Sequence, residues 1–151
     1  HVDLPTYPFQ RDRYWWSTAA GRGDVTTAGL HPGDHPLLGA ALDLADGGGR
    51  LHTGRISLRT HPWTADHGVS GVTLLPGTAF LELALHTGET GNVQELTLHA
   101  PLVLPAEEGI DLQVHVARPD EAGLRALTVS SRAAGADPDS PWQPHATGPV
   151  S

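Results

Sequence analysis

The sequence predicts an α+β fold in which one buried helix is wrapped by an antiparallel sheet. Three observations carry that expectation. Residues 76–88 (PGTAFLELALHTG) are apolar on almost every helical face. Ile110, Leu112, Val114 and Val116 alternate cleanly with Asp111, Gln113 and His115. The remaining stretches from residue 35 onward are short and apolar, separated by turns rich in Gly, Pro and Asp. A period of two marks a strand, and a helix apolar all round has to be covered all round.

Taken in order, residues 1–16 (HVDLPTYPFQRDRYWW) are aromatic and proline-rich without periodicity. Five aromatics are not normally left in water, so this segment is expected to lie against a neighbouring domain. Residues 17–34 (STAAGRGDVTTAGLHPGD) are small, polar and glycine-rich, the composition of a flexible linker. The pair is assigned as an inter-domain linker, 1–34, ahead of a folded unit, 35–151. Within that unit Leu38, Ala40, Leu42 and Leu44 alternate as a first strand. Asp46-Gly47-Gly48-Gly49 follows as a hairpin turn, because Gly and Asp tolerate positive φ. Residues 50–59 return as a second strand, with Ile56 and Leu58 on one face.

The helix is bounded by Pro76 before its start and Gly88 after its end, and Thr78 is available as a cap. With Leu at position 81 no capping box forms. After it come strands only: 93–98, 102–104, 110–116, 124–132 after a turn at 118–123, and 142–148. One helix wrapped by about six antiparallel strands is the hot-dog arrangement.

Composition narrows the function. Nine Lys and Arg against seventeen Asp and Glu give a formal charge of −8, and no stretch concentrates basic residues. Binding to nucleic acid or to an anionic membrane is therefore not expected. The absence of cysteine excludes disulfides, thiolate metal sites and cysteine nucleophiles. No apolar run approaches 18 residues and no secretory leader is legible, which reads as a cytoplasmic domain. With no initiator Met, the chain is expected to be part of a longer polypeptide.

Residues 61–77 read HPWTADHGVSGVTLLPG, and within them His67-x-x-x-Gly71-x-x-x-x-Pro76 stands out. This spacing resembles the HxxxGxxxxP signature of dehydratase domains from modular (type I) polyketide synthases. HPLLG at 35–39, PGTAFLELAL at 76–85, ELTLHAPLVLP at 95–105 and W-x-x-H-A-x-G at 142–148 resemble the same family in the same order. LPTYPFQRDRYWW resembles the linker that follows an acyltransferase in such synthases. The resemblance covers nearly the whole chain apart from 17–34. It implies the first half of a double hot dog and a lyase that removes water from a β-hydroxyacyl thioester on an acyl carrier protein.

The chemistry fits those residues. Dehydration needs a base for the α-proton, an acid for the departing hydroxyl and donors for the enolate-like oxygen. His67 is the expected base, since imidazole exchanges protons near neutral pH. Gly71 is expected to permit close backbone approach. Pro76 starts the helix, and the N–H of Gly77 at its positive end is expected to stabilise the thioester oxygen. No metal and no directly bound cofactor is expected, because the substrate arrives on the phosphopantetheine arm of the carrier protein.

Other residues offer weaker chemistry. Asp66 adjoins His67, but neighbours on an extended chain point to opposite faces, so it is not expected to orient the ring. The other nine histidines lack compact metal-ligand spacing, and a His61–His67 zinc pair would need a loop to fold back between them. The glycine triplet at 47–49 lacks the strand-then-helix setting and the lysine of a phosphate loop. In the resembled family the acid is an Asp of a second hot-dog unit, in a DxxxQ or DxxxH setting. Asp111-x-x-x-His115 matches literally but lies on the outward face of its strand. The chain is thus expected to hold half an active site, completed by a C-terminal hot-dog half, within a homodimer. Two other readings remain open: a non-catalytic half used for dimerisation or docking, and a small thioesterase-like homodimer.

Overall fold

The computed structural model describes residues 24–151. The aromatic opening segment and the first part of the expected linker lie outside the described residues. Asp24 caps a 3₁₀ turn at Val25–Ala28, its carboxylate accepting the Thr26 N–H at 3.0 Å. The chain then enters β1 (His31–His35), which pairs antiparallel with β2 (Leu38–Asp43). The reading of this stretch as flexible linker is therefore corrected for residues 24–34. Sheet pairing uses backbone groups, so the open edge of β2 can recruit a small polar segment without help from its side chains. Pro32 is tolerated because β1 is an edge strand.

The expected hairpin follows. The Leu44 N–H donates to the Gly49 carbonyl at 2.9 Å, and β2 turns into β3 (Arg50–Ile56). Next come a 3₁₀ turn at Pro62–Asp66, a small hairpin of β4 (Gly68–Val69) and β5 (Val72–Thr73), and the helix α1 (Gly77–Thr87). The strands β6 (Thr97–Leu98), β7 (Ile110–Val116), β8 (Arg125–Ala133) and β9 (Gln143–Val150) complete the chain. The main sheet has seven strands in the order β1-β2-β3-β7-β8-β9-β6, all neighbours antiparallel, one more than expected. Of the stretches expected as strands, 93–98 pairs only at Thr97–Leu98 and through a single Val93–Val150 bridge. Residues 102–104 join the β5 side instead, through a Leu74–Val103 bridge.

The central strand β7 shows the pattern the sequence predicts: Ile110, Leu112, Val114 and Val116 are all buried. They share one core with Phe80, Leu83 and Ala84 of α1 and with Val129, Ala146 and Val150 from β8 and β9. The helix departs from expectation. Phe80, Leu83, Ala84 and Thr87 are buried at helical spacing, but Leu81 is 43% and Leu85 40% exposed. In this chain the sheet covers one face of α1 and leaves the other open, so the helix is not enclosed. Nor does Thr78 cap it: Pro76 occupies the N-cap position, with no side-chain cap.

Candidate active site

The segment carrying His67 is built by two local devices. In the first, the His61 carbonyl accepts both the N–H of Thr64 at 3.0 Å and its hydroxyl at 2.6 Å. Thr64 is almost wholly buried, and its own carbonyl accepts the His67 N–H at 3.2 Å. Asp66 therefore ends a 3₁₀ turn rather than preceding His67 on an extended chain. No ion pair or hydrogen bond joins Asp66 to His67 among the described residues, as expected, though for a different geometric reason.

The second device is the β4–β5 hairpin. Gly68 pairs with Thr73 and Val69 with Val72, leaving Ser70 and Gly71 to turn with φ of 51° and 82°. Two successive positive φ values are what a tight two-residue hairpin needs, and Gly supplies the second without strain. A Cβ at Gly71 would meet nothing within 4 Å. The glycine therefore serves the backbone turn, and the close approach expected there is not made by any part of the described chain. The hairpin returns the chain so that the Leu74 N–H donates to the His67 carbonyl at 3.1 Å. Three residues on, α1 begins.

This explains the spacing of the motif. Folding at 70–71 sets position 74 opposite position 67, and Pro76, with φ −66°, starts the helix directly afterwards. The Leu75 N–H donates to the Leu102 carbonyl and that of Leu104 to the Thr73 carbonyl, each at 2.9 Å, so residues 102–104 anchor the hairpin. His67 is exposed, and its ring has no partner among the described residues. Gly77 is also exposed, the nearest atom to a Cβ there being Leu98 Cδ1 at 3.5 Å. The N–H groups of Gly77 and Thr78, in the first turn, meet no acceptor among the described residues. An unpaired imidazole and an open helix N-terminus thus share one end of the hairpin.

The remaining candidates are engaged elsewhere. The His61 ring accepts the Thr60 hydroxyl at Nδ1 (2.8 Å) and donates from Nε2 to the Pro36 carbonyl (3.1 Å), so it is not paired with His67. Asp111 accepts from Arg55 Nε at 2.8 Å on the far face of the sheet, as its strand phase predicted. His145 is buried, its Nδ1 donating to the Ala100 carbonyl and its Nε2 accepting the Ser131 hydroxyl. The supporting roles of His61 and Thr64 were not anticipated. The spacing of Thr64 three residues after His61, which suits a hydroxyl-to-carbonyl turn, is the signal that could have revealed them.

Comparison with known proteins agrees with this architecture. Residues 35–132 match the family model described as the polyketide synthase dehydratase domain. Over 97% of its length the chain is 56% identical to polyketide synthase GfsA of Streptomyces halstedii. It is 51% identical over 98% of its length to the pikromycin polyketide synthase component PikAII of Streptomyces venezuelae. Among solved structures, the dehydratase domain from the terminal module of the rifamycin polyketide synthase superposes with a TM-score of 0.79 at 42% identity, over 84% of this chain. The chain spans 2% and 4% of the two synthases and 45% of the solved domain.

Proposed function

The chain belongs to the polyketide synthase dehydratase domain family, and from that premise we propose that it supplies the basic half of a site that removes water from a β-hydroxyacyl thioester. In this reading His67 takes the α-proton on its ring nitrogen. The electrons of the broken C–H bond form the α,β double bond, and the β-hydroxyl departs as water after receiving a proton from an acid. The Gly77 N–H, at the positive end of α1, faces the thioester oxygen as charge develops on it. Gly71 sets the turn between them and Pro76 sets the helix start. The observation that supports the reading is the His67–Leu74 backbone bond, which sets His67 opposite a residue three positions before the start of α1.

The acid is assigned to a C-terminal hot-dog half of the same polypeptide, since of the described carboxylates nearest in sequence or motif, Asp66 makes no hydrogen bond or ion pair with His67 and Asp111 is held by Arg55. The substrate is delivered on the phosphopantetheine arm of an acyl carrier protein, with no cofactor held by this chain, and the working unit is a homodimer in the cytoplasm. Residues 1–34 are read as the tail of the inter-domain connection, whose last residues have been drawn into the sheet.

A second reading has its own support. The exposed Leu81 and Leu85 make one face of α1 an apolar surface, which would suit a docking half without turnover. Both readings are tested in the synthase polypeptide by following loss of the β-hydroxyl from a carrier-bound thioester. His67→Ala is expected to lower the rate by about 10²–10⁴-fold, the usual contribution of a positioned base. Unchanged turnover would overturn the assignment and favour the docking reading.

A further inference from the structure

The HPLLG segment at 35–39 has no part in the chemistry above, yet two of its first three residues bond to the two pieces of chain that carry the site. His35 is buried, 4% exposed, at the end of β1. Its Nδ1 accepts the Leu37 N–H at 3.1 Å, which leaves Nε2–H to donate to the carboxylate of Glu82, halfway along α1. Burial is the largest influence on the ring and holds its pKa below the usual histidine value, against the opposing pull of Glu82. The neutral tautomer that both bonds require is thereby favoured. His86, one turn further along α1, pairs with Asp34 at 3.1 Å, and its ring centroid lies 4.7 Å from that of His35. Adjacent residues of β1 therefore present an acid and a base to a base and an acid on the helix.

The next residue faces the other way. The Pro36 carbonyl accepts from His61 Nε2 at 3.1 Å. His61 in turn holds Thr64, and Thr64 holds the backbone of His67. The turn itself cannot shift freely, because it is pressed onto β3: a Cβ at Gly54 would sit 1.9 Å from the Leu37 carbonyl oxygen.

We propose that His35 is a positioning residue for the dehydration: the His35–Leu37 turn joins α1, through Glu82, to the turn that delivers His67, through His61. The device sets the separation between the His67 ring and the Gly77 N–H, two groups also connected by the β4–β5 hairpin and its anchor at residues 102–104. It rests on His67 being the base, but its mechanical part does not.

The test uses the synthase polypeptide with two readouts, amide exchange and turnover. His35→Ala should accelerate exchange in both 61–67 and 77–83 while leaving β7 and β8 protected. Glu82→Ala should affect only 77–83, and His61→Ala only 61–67. Glu82→Gln, which keeps an acceptor for Nε2–H, should restore protection. On the thioester, His35→Ala and Glu82→Ala should lower kcat about tenfold or more with KM within about twofold, the signature of misplaced groups rather than lost binding. Where His35→Ala fails to fold, the Glu82→Ala and Glu82→Gln pair tests the helix side and His61→Ala tests the 61–67 side. Exchange unchanged in both segments, or raised equally across β7 and β8, would overturn the proposal. So would kcat unchanged in folded Glu82→Ala. His67→Ala, run alongside, keeps the two ideas apart: full turnover there sinks the base assignment, while the exchange pattern still decides the clamp.

Discussion

The Leu74 N–H donates to the His67 carbonyl at 3.1 Å, so the two residues face each other across the mouth of the β4–β5 hairpin. The seven-residue interval between them is a consequence of the turn at Ser70-Gly71 and its two positive φ values. Any change to that turn alters how the His67 ring approaches the start of α1. Because nothing crowds Gly71, the cost of replacing it comes from φ alone. Gly71→Val is expected to destabilise by about 1–2 kcal/mol, and Gly71→Asn by less, since Asn tolerates this region. Thermal unfolding of the two variants checks the order. A larger effect from Asn would mean that unseen contacts, rather than φ, hold the position.

Gly54 is glycine for the opposite reason. Its φ is ordinary, but the Leu37 carbonyl oxygen occupies the place of a Cβ. Gly54→Ala should therefore cost more than Gly71→Ala, roughly 3 kcal/mol or above, as overpacking against immovable backbone does. Denaturant midpoints of the two alanine variants give the comparison.

The two faces of α1 should respond differently. Leu83 is fully buried, and Leu83→Ala is expected to cost about 2–5 kcal/mol. Leu81→Ser and Leu85→Ser should cost well under 1 kcal/mol in this chain by itself. In the synthase polypeptide the same serines should destabilise by several times that amount if another unit covers the face. Equal effects in the two settings would indicate that the face stays in water.

Acid should weaken the fold through His52. Burial, with a smaller contribution from Arg50, lowers its pKa to about 4, while His86 lowers it and Asp34 and Asp43 raise it slightly. Its Nε2 is buried without a hydrogen-bond partner among the described residues. The unfolded chain binds the proton more readily, so this contribution to stability is complete above about pH 6.5. It is lost as pH falls from there toward 4, by at most about 3 kcal/mol. His35 is shifted in the same direction and adds to the slope. Unfolding free energy measured between pH 7 and 4 should fall less steeply in His52→Leu than in the wild type. An identical slope would refute the assignment.

Asp111 is expected to be silent in catalysis. Its carboxylate is held by Arg55 on the outer face of the sheet, so Asp111→Asn should leave turnover by the synthase within about twofold. Its partner Arg55 is largely exposed, and stability should change by less than about 1 kcal/mol.

Much of this was legible in the residues. The alternation from Ile110 to Val116 states which side chains face inward, because successive side chains on a strand must point to opposite faces. The same rule placed Asp111 outside. The Gly-rich turn at 46–49, the helix start at Pro76 and the motif around His67 are likewise local patterns whose physics is carried by a few consecutive residues. Three things were decided only when the chain folded on itself. Residues 31–34 became a strand because the edge of β2 offers backbone partners, which no side-chain pattern announces. Leu81 and Leu85 stayed in water although an apolar helix implied enclosure, because hydrophobicity states a preference for burial and cannot state which surface provides it. The joining of His35 to Glu82 and of Pro36 to His61 links positions 47 and 25 residues apart. Such pairs depend on where separate elements come to rest, and that is settled by the packing of the whole sheet against α1.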